Sequence, residues 1–388
     1  MSDTAIFLLI YMVGFLELAF YALKYKPFSD RLGEYKAYLN TFKTNKIIDN
    51  RNEVLSSCLT AIILPYLISK YLHLSRDITF KITPCFLYAL MPSFCYLISR
   101  EYLSIGDSLI VSAFVFSNMY FAYYPNLGRV SIAWGLLSGL IWALLTSHPL
   151  VVIIFVSLLV VSHYGTAHYA LFVFGGTWAV LFFAGNRGSE YIIISTVMVT
   201  LATAIWVWFG FFATTSGGVT NRFIHNSVTL KSSGSLLSID SRENVVQTAF
   251  GKNFKQRKFP QYVEFFVCWI TVILVSMGLI LFLVDGQLSV LHRLLAVFSY
   301  LAIILTLVIP HISVYYGIAR VYFTSLVILA PCFMYGVDAI AVLLGINGYV
   351  LGISVVAMYY LCTSGILHRI FGIDKRAFIK QRITEIWG

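Results

Sequence analysis

The sequence predicts an all-α fold, a polytopic bundle of transmembrane helices, and three observations carry that prediction. Of the 388 residues, 59% are hydrophobic and only 11% are charged, where a soluble domain carries about 25% charged residues. Mean hydropathy is +0.83. The apolar residues are also gathered into long runs that approach the roughly 20 residues a membrane-crossing helix needs. A transmembrane barrel would instead read as alternating segments of about ten residues, and an open strand would leave its backbone groups unsatisfied in lipid.

The first apolar run covers residues 5–23. It follows Met-Ser-Asp-Thr with no basic stretch before it and no small-x-small cleavage site after it, so it reads as a retained helix and not as a signal peptide. Further runs lie near 55–72, 82–99, 108–123, 129–146, 149–162, 167–184, 190–214, 262–284, 290–310, 322–342 and 346–366. Pro65 and the flanking Lys70, Arg76 and Lys81 make 55–72 a poor span. They favour an amphipathic helix lying in the interface, which leaves about eleven spans, or twelve if 55–72 crosses. The chain therefore reads as a single integral membrane domain, 1–388, in the cell membrane. Its polar interruptions are a large first external loop at 24–81, a second long polar loop at 215–261 and a basic tail at 367–388.

Those three segments hold most of the 27 Lys and Arg that give the chain its net charge of +10. The basic balance thus describes polar connections between apolar helices and implies no nucleic-acid partner. Six cysteines lie mostly inside apolar runs without a C-x-x-C pair, and they read as small core residues. Nucleotide-binding glycine loops, a G-x-S-x-G elbow and an H-E-x-x-H pair are all missing from the sequence, so nucleotide hydrolysis, dinucleotide chemistry and zinc proteolysis have no support. With 55–72 lying flat, one membrane face collects Asp30, Glu34, Arg129, His163, His168, the 215–261 loop and Arg320. The basic tail falls on that same face, against the positive-inside bias if the face is external.

Four groups of residues on that face have chemical potential. Asp30 and Glu34 follow the first helix at i and i+4, so a helix there puts both carboxylates on one side. They suit a base with a partner, or a divalent cation, and equally a solvated turn with local Lys and Arg pairs. Arg129, beside the aromatic stretch Tyr123-Tyr124-Pro125, is either a snorkelling anchor or a bidentate grip on phosphate. His163, Tyr164 and His168 interrupt two apolar runs. Their spacing is wrong for a helical metal pair, and they fit hydrogen bonding to a hydroxylated or phosphorylated ligand or a polar cap. Arg320 and Tyr322 repeat the cation-plus-tyrosine pattern at another helix mouth, where lipid head groups are the alternative partner. Glu17, inside the first helix, is costly in lipid unless paired or turned inward.

The ordered series Ser29-Asp30-x-x-x-Glu34-Tyr35, Phe80-Lys81-Ile82-Thr83-Pro84, Gly128-Arg129, Val161-Ser162-His163-Tyr164-Gly165-Thr166, Thr214-Thr215-Ser216-Gly217 and Arg320-Val321-Tyr322 resembles an archaeal family of multi-pass membrane proteins grouped with the GT-C glycosyltransferases. The resemblance spans about residues 28–340. It implies a GT-C-like fold and an enzyme that moves a sugar from a polyprenyl- or dolichyl-phosphate carrier to a glycan, lipid or protein acceptor on the external face. By that resemblance Asp30 is the catalytic base or a ligand to a divalent cation (Mg or Mn), and Glu34 is its companion. Arg129, His163, Tyr164, His168, Arg320 and Tyr322 would contact the lipid phosphate or sugar. His163 stands where the related protein mannosyltransferases have Lys, and no second acidic residue occurs around 124–129. A flippase, transporter or polymerase for lipid-linked glycans is the competing expectation.

Overall fold

A computed structural model of the chain describes residues 2–24, 30–44, 58–118, 128–212, 258–286, 288–309 and 317–372. The aromatic stretch before Gly128, nearly all of the 215–261 loop and most of the basic tail lie outside these residues. Helices make up nearly all of what is described, and no strand occurs there. The described parts of all twelve apolar runs are predominantly helical. Among the described residues, eight helical stretches are long and apolar enough to cross a membrane, Arg76–Arg100 counted as one, and four apolar helices are shorter.

The helices fall into two compact units. The first comprises Met1–Ile98 and Tyr120–Arg222. It holds α1 (Asp3–Lys24), α2 (Asp30–Thr44), α3 (Leu59–Tyr71), α4 (Arg76–Tyr88), α5 (Leu90–Arg100, whose last residues belong to the second unit), α7 (Gly128–Leu145), α8 (Pro149–Ser162), α9 (Tyr164–Phe183) and α10 (Ser189–Val207), the last continuing into a π turn, Trp208–Phe212. The second comprises Ser99–Met119 and Phe223–Gly388. Its helices are α6 (Ile105–Phe116), α11 (Phe259–Val284), α12 (Val290–Val308), α13 (Ile318–Leu344), α14 (Gly348–Thr363) and the short α15 (Ile366–Ile370).

In the first unit α4 packs on α1, α3 and α7, while α8 packs on α7, α9 and α10. The α4–α7 crossing is close enough to require glycine. A Cβ on Gly135 would sit 1.9 Å from the Leu87 carbonyl oxygen, inside any allowed contact, so the missing side chain lets the two backbones meet. Pro92 has no N–H to give the Tyr88 carbonyl, which accounts for the break between α4 and α5. Across these helices the Tyr96 hydroxyl donates to the carboxylate of Asp3 at 2.5 Å.

The polar segment predicted to run to Lys81 ends earlier, because α4 already begins at Arg76 and uses Lys81 in an i,i+4 pair with Asp77 at 2.9 Å. Within the segment, α3 spans only about 20 Å at 1.5 Å per residue, short of the roughly 30 Å hydrocarbon core. It is not a detached surface helix, for Ala61, Ile62, Pro65 and Tyr66 are buried against α2, α4, α7 and α8. An aromatic cluster of Tyr38, Tyr66 and Phe80 with Ile62 seats α2 on α3 and α4. The Tyr38 hydroxyl donates to the Arg76 carbonyl at 3.0 Å, and burial pushes that phenol up from its ordinary range, keeping it a donor.

The second unit is organised around α13, which packs on α6, α11, α12 and α14. Two glycines make the α11–α13 contact. A Cβ on Gly278 would lie 1.7 Å from the Cys332 carbonyl oxygen, and one on Gly336 would lie 2.0 Å from that of Leu274. Ser325 donates to the Ser299 carbonyl at 3.2 Å between α13 and α12. Tyr335 donates to Asp285, the C-cap of α11, at 2.8 Å.

Candidate functional site

The first unit brings two of the predicted residues together. Helix α2 starts at Asp30, so Asp30 and Glu34 are one turn apart on a single helix; the Asp30 side chain lies outside the described residues. Glu34, Tyr38 and Thr41 form its buried stripe at i, i+4 and i+7. Glu34 is 0% exposed, and its Oε1 lies 3.6 Å from the Nε of Arg129, itself only 7% exposed. Arg129 is the second residue of α7, where the positive end of the helix dipole disfavours a cation. A carboxylate beside the guanidinium offsets both that repulsion and the loss of water. A fully buried carboxylate facing a guanidinium is suited to orienting that cation.

The three residues at the α8–α9 junction are organised by capping. His163 has extended backbone and is the N-cap of α9. Its Nδ1 lies 3.1 Å from the Thr166 N–H, which donates to it, and 2.8 Å from the Thr166 hydroxyl. His168, one turn into the helix, uses the opposite tautomer: its Nδ1 sits 2.6 Å from the Tyr164 carbonyl and must donate. The His168 ring stacks on Phe209 with centroids 5.8 Å apart, and Tyr164 packs beside His163 at 5.2 Å. These interactions hold each Nδ1 within its own turn. Among the described residues no group of three His, Cys, Asp or Glu side chains converges as a metal ligand set.

Arg320 and Tyr322 belong to the second unit, in the first two turns of α13. Gly317 precedes that helix with φ +75°, a left-handed conformation glycine adopts without strain. Both side chains are partly exposed, and the Arg320 carbonyl accepts the Thr324 hydroxyl at 2.6 Å. Glu17 is half-buried in α1.

Sequence reasoning passed over a second buried ionisable pair. Glu264, in α11, is 2% exposed; His368, in α15, is 0% exposed; and His368 Nε2 lies 3.7 Å from Glu264 Oε2. The signal was present, since Glu264 is a lone carboxylate inside a long apolar run, and an ionisable residue in such a run is a functional candidate by default. His292, fully buried with Nε2 3.4 Å from the Ile328 carbonyl, was passed over for the same reason. Neither models of protein families nor curated proteins match this chain.

Proposed function

We propose that the chain is a GT-C-type membrane glycosyltransferase with about eleven helices crossing the bilayer. It would transfer a sugar from a polyprenyl- or dolichyl-phosphate carrier to an acceptor on the external face. The observation that carries this reading is Arg129 held beside Glu34 on the helix that begins at Asp30. Sugar transfer from a lipid phosphate has two electrostatic needs: a base or orienting carboxylate for the acceptor hydroxyl, and a fixed cation where the leaving phosphate gains charge. Glu34 takes the orienting role and fixes one edge of the guanidinium, whose planar fork suits phosphate. Asp30, one turn earlier, is then the base. Tyr164, His163 and His168 offer hydrogen-bonding groups for sugar hydroxyls. Arg320 with Tyr322, in the second unit, is a separate candidate contact for a lipid head group. No step runs through the Mg or Mn ion that the family resemblance allows.

The test is transfer by the purified full-length protein in nanodiscs, read as release of polyprenyl phosphate from a panel of labelled polyprenyl-phosphate sugars. Asp30→Asn is expected to lower the rate by roughly 10²–10⁴-fold. Arg129→Lys, which keeps the charge and loses the fork, is expected to lower it by roughly 10²-fold. Wild-type rates in Asp30→Asn would overturn the assignment of the base. Movement of the intact lipid-linked sugar across sealed vesicles, without product, would replace the transferase by a flippase.

A further inference from the structure

We propose that the corner between α3 and α4, residues 70–76, is a docking surface for anionic membrane phospholipids. Its sequence, Lys70-Tyr71-Leu72-His73-Leu74-Ser75-Arg76, sets a cation at each end of a bulky apolar stretch. Tyr71, Leu72 and Leu74 are each more than half exposed, and exposed Ile78 extends the apolar surface into the first turn of α4. Exposed apolar side chains gathered at one corner mark a contact surface.

The corner is held in one shape. The Leu72 N–H donates to the Ile68 carbonyl at 3.0 Å, and the Ser69 hydroxyl reaches across the turn to the Leu74 carbonyl at 2.9 Å. Tyr38 of α2 ties down the Arg76 carbonyl. Both cations are positioned by aromatic side chains. Lys70 donates to the Tyr66 hydroxyl at 3.0 Å, and the Arg76 guanidinium lies 4.2 Å from the centre of the Phe42 ring. Those two rings meet edge to face with centroids 4.7 Å apart, so one aromatic pair orders both charges.

Charge decides the occupant. Among the described residues no carboxylate pairs with Lys70 or Arg76, and the neighbouring acid, Asp77, is engaged by Lys81. The stretch Arg76–Arg100, long and apolar enough to cross a membrane, begins at Arg76, which puts the corner at the bilayer boundary. There an apolar tip fits the acyl region while ordered cations beside it meet lipid phosphates. This docking uses neither Asp30 nor Arg129, so it is independent of the transferase reading.

The experiment places a bimane fluorophore at Leu72→Cys of the full-length protein in phosphatidylcholine vesicles. Equal small amounts of acyl-spin-labelled phosphatidylglycerol or phosphatidylcholine serve as quenchers. The native cysteines are buried or half-buried, and labelled protein without Leu72→Cys is the blank. Phosphatidylglycerol should quench more strongly at low salt, an advantage that added salt reduces. Lys70→Gln and Arg76→Gln should each lower the preference for the anionic lipid about fivefold, whereas Lys70→Arg and Arg76→Lys should keep it. Equal quenching by the two lipids overturns the proposal, as does a preference unchanged when both residues are glutamine. Quenching by neither lipid overturns it too, because the corner then faces water or protein.

Discussion

Among the described residues, each unit buries an ion-pair contact of similar length, Glu34 with Arg129 at 3.6 Å and Glu264 with His368 at 3.7 Å, yet the two differ in what their cations can do. A guanidinium cannot shed its proton in a protein, so the first unit carries a permanent positive charge that must always be answered. An imidazole can become neutral, so the cation of the second contact is not permanent. The leaving-phosphate role proposed for Arg129 needs a charge that stays.

The largest effects should come from cutting these pairs one side at a time. Glu34→Gln leaves a buried guanidinium facing a neutral amide and is expected to cost about 3–5 kcal/mol of stability. Arg129→Gln should cost less, because a carboxyl group can exist in a neutral form whereas a guanidinium cannot. Glu264→Gln should likewise cost less than Glu34→Gln, since His368 can go neutral. Unfolding in detergent, followed by tryptophan fluorescence, gives all three values. Equal losses for Glu34→Gln and Glu264→Gln would break the comparison.

A second contrast lies in how closely the helices meet. The first unit uses one glycine at the α4–α7 crossing, and the second uses two facing glycines at α11–α13. Gly135→Ala, Gly278→Ala and Gly336→Ala each drive a methyl group into a backbone carbonyl. Each is expected to cost about 1–3 kcal/mol. The combination Gly278→Ala with Gly336→Ala should cost less than the sum of its parts, because one separation of α11 from α13 relieves both clashes. Strict additivity in the same unfolding assay would argue that the two contacts yield separately.

The helices were legible because membrane insertion writes itself as long apolar runs, and every such run from 5–23 to 346–366 is predominantly helical where described. The site was legible only in part. Arg129 and the pair at 30 and 34 stood out as charges at helix mouths, but spacing along the chain gave no means of seeing that Glu34 meets Arg129, nearly a hundred residues away. Nor did the sequence reveal the two units, because the partition sends the 99–119 segment to join helices beyond residue 258. Glu264 and His368 escaped for a related reason: they are one carboxylate and one imidazole in separate helices, and only the turn at Gly365 makes them neighbours. His163 was readable as either a ligand contact or a polar cap, while its capping bond depends on a local backbone geometry that residue type does not specify.

The smallest expected effect separates structure from chemistry at His163. In the second unit ordinary residues cap helices: Ser289 accepts the His292 N–H at 3.1 Å, and Asn347 accepts the Val350 N–H at 3.2 Å. In the first unit a buried histidine performs that task for α9. Asparagine is among the best N-caps, so His163→Asn should retain the bond to Thr166 and change stability by only a few tenths of a kcal/mol, while His163→Ala should lose about 1 kcal/mol. Were capping its whole purpose, His163→Asn would also transfer sugar at the wild-type rate. A protein that is as stable as wild type yet slower would show that the imidazole ring, beyond the nitrogen that caps the helix, meets the substrate.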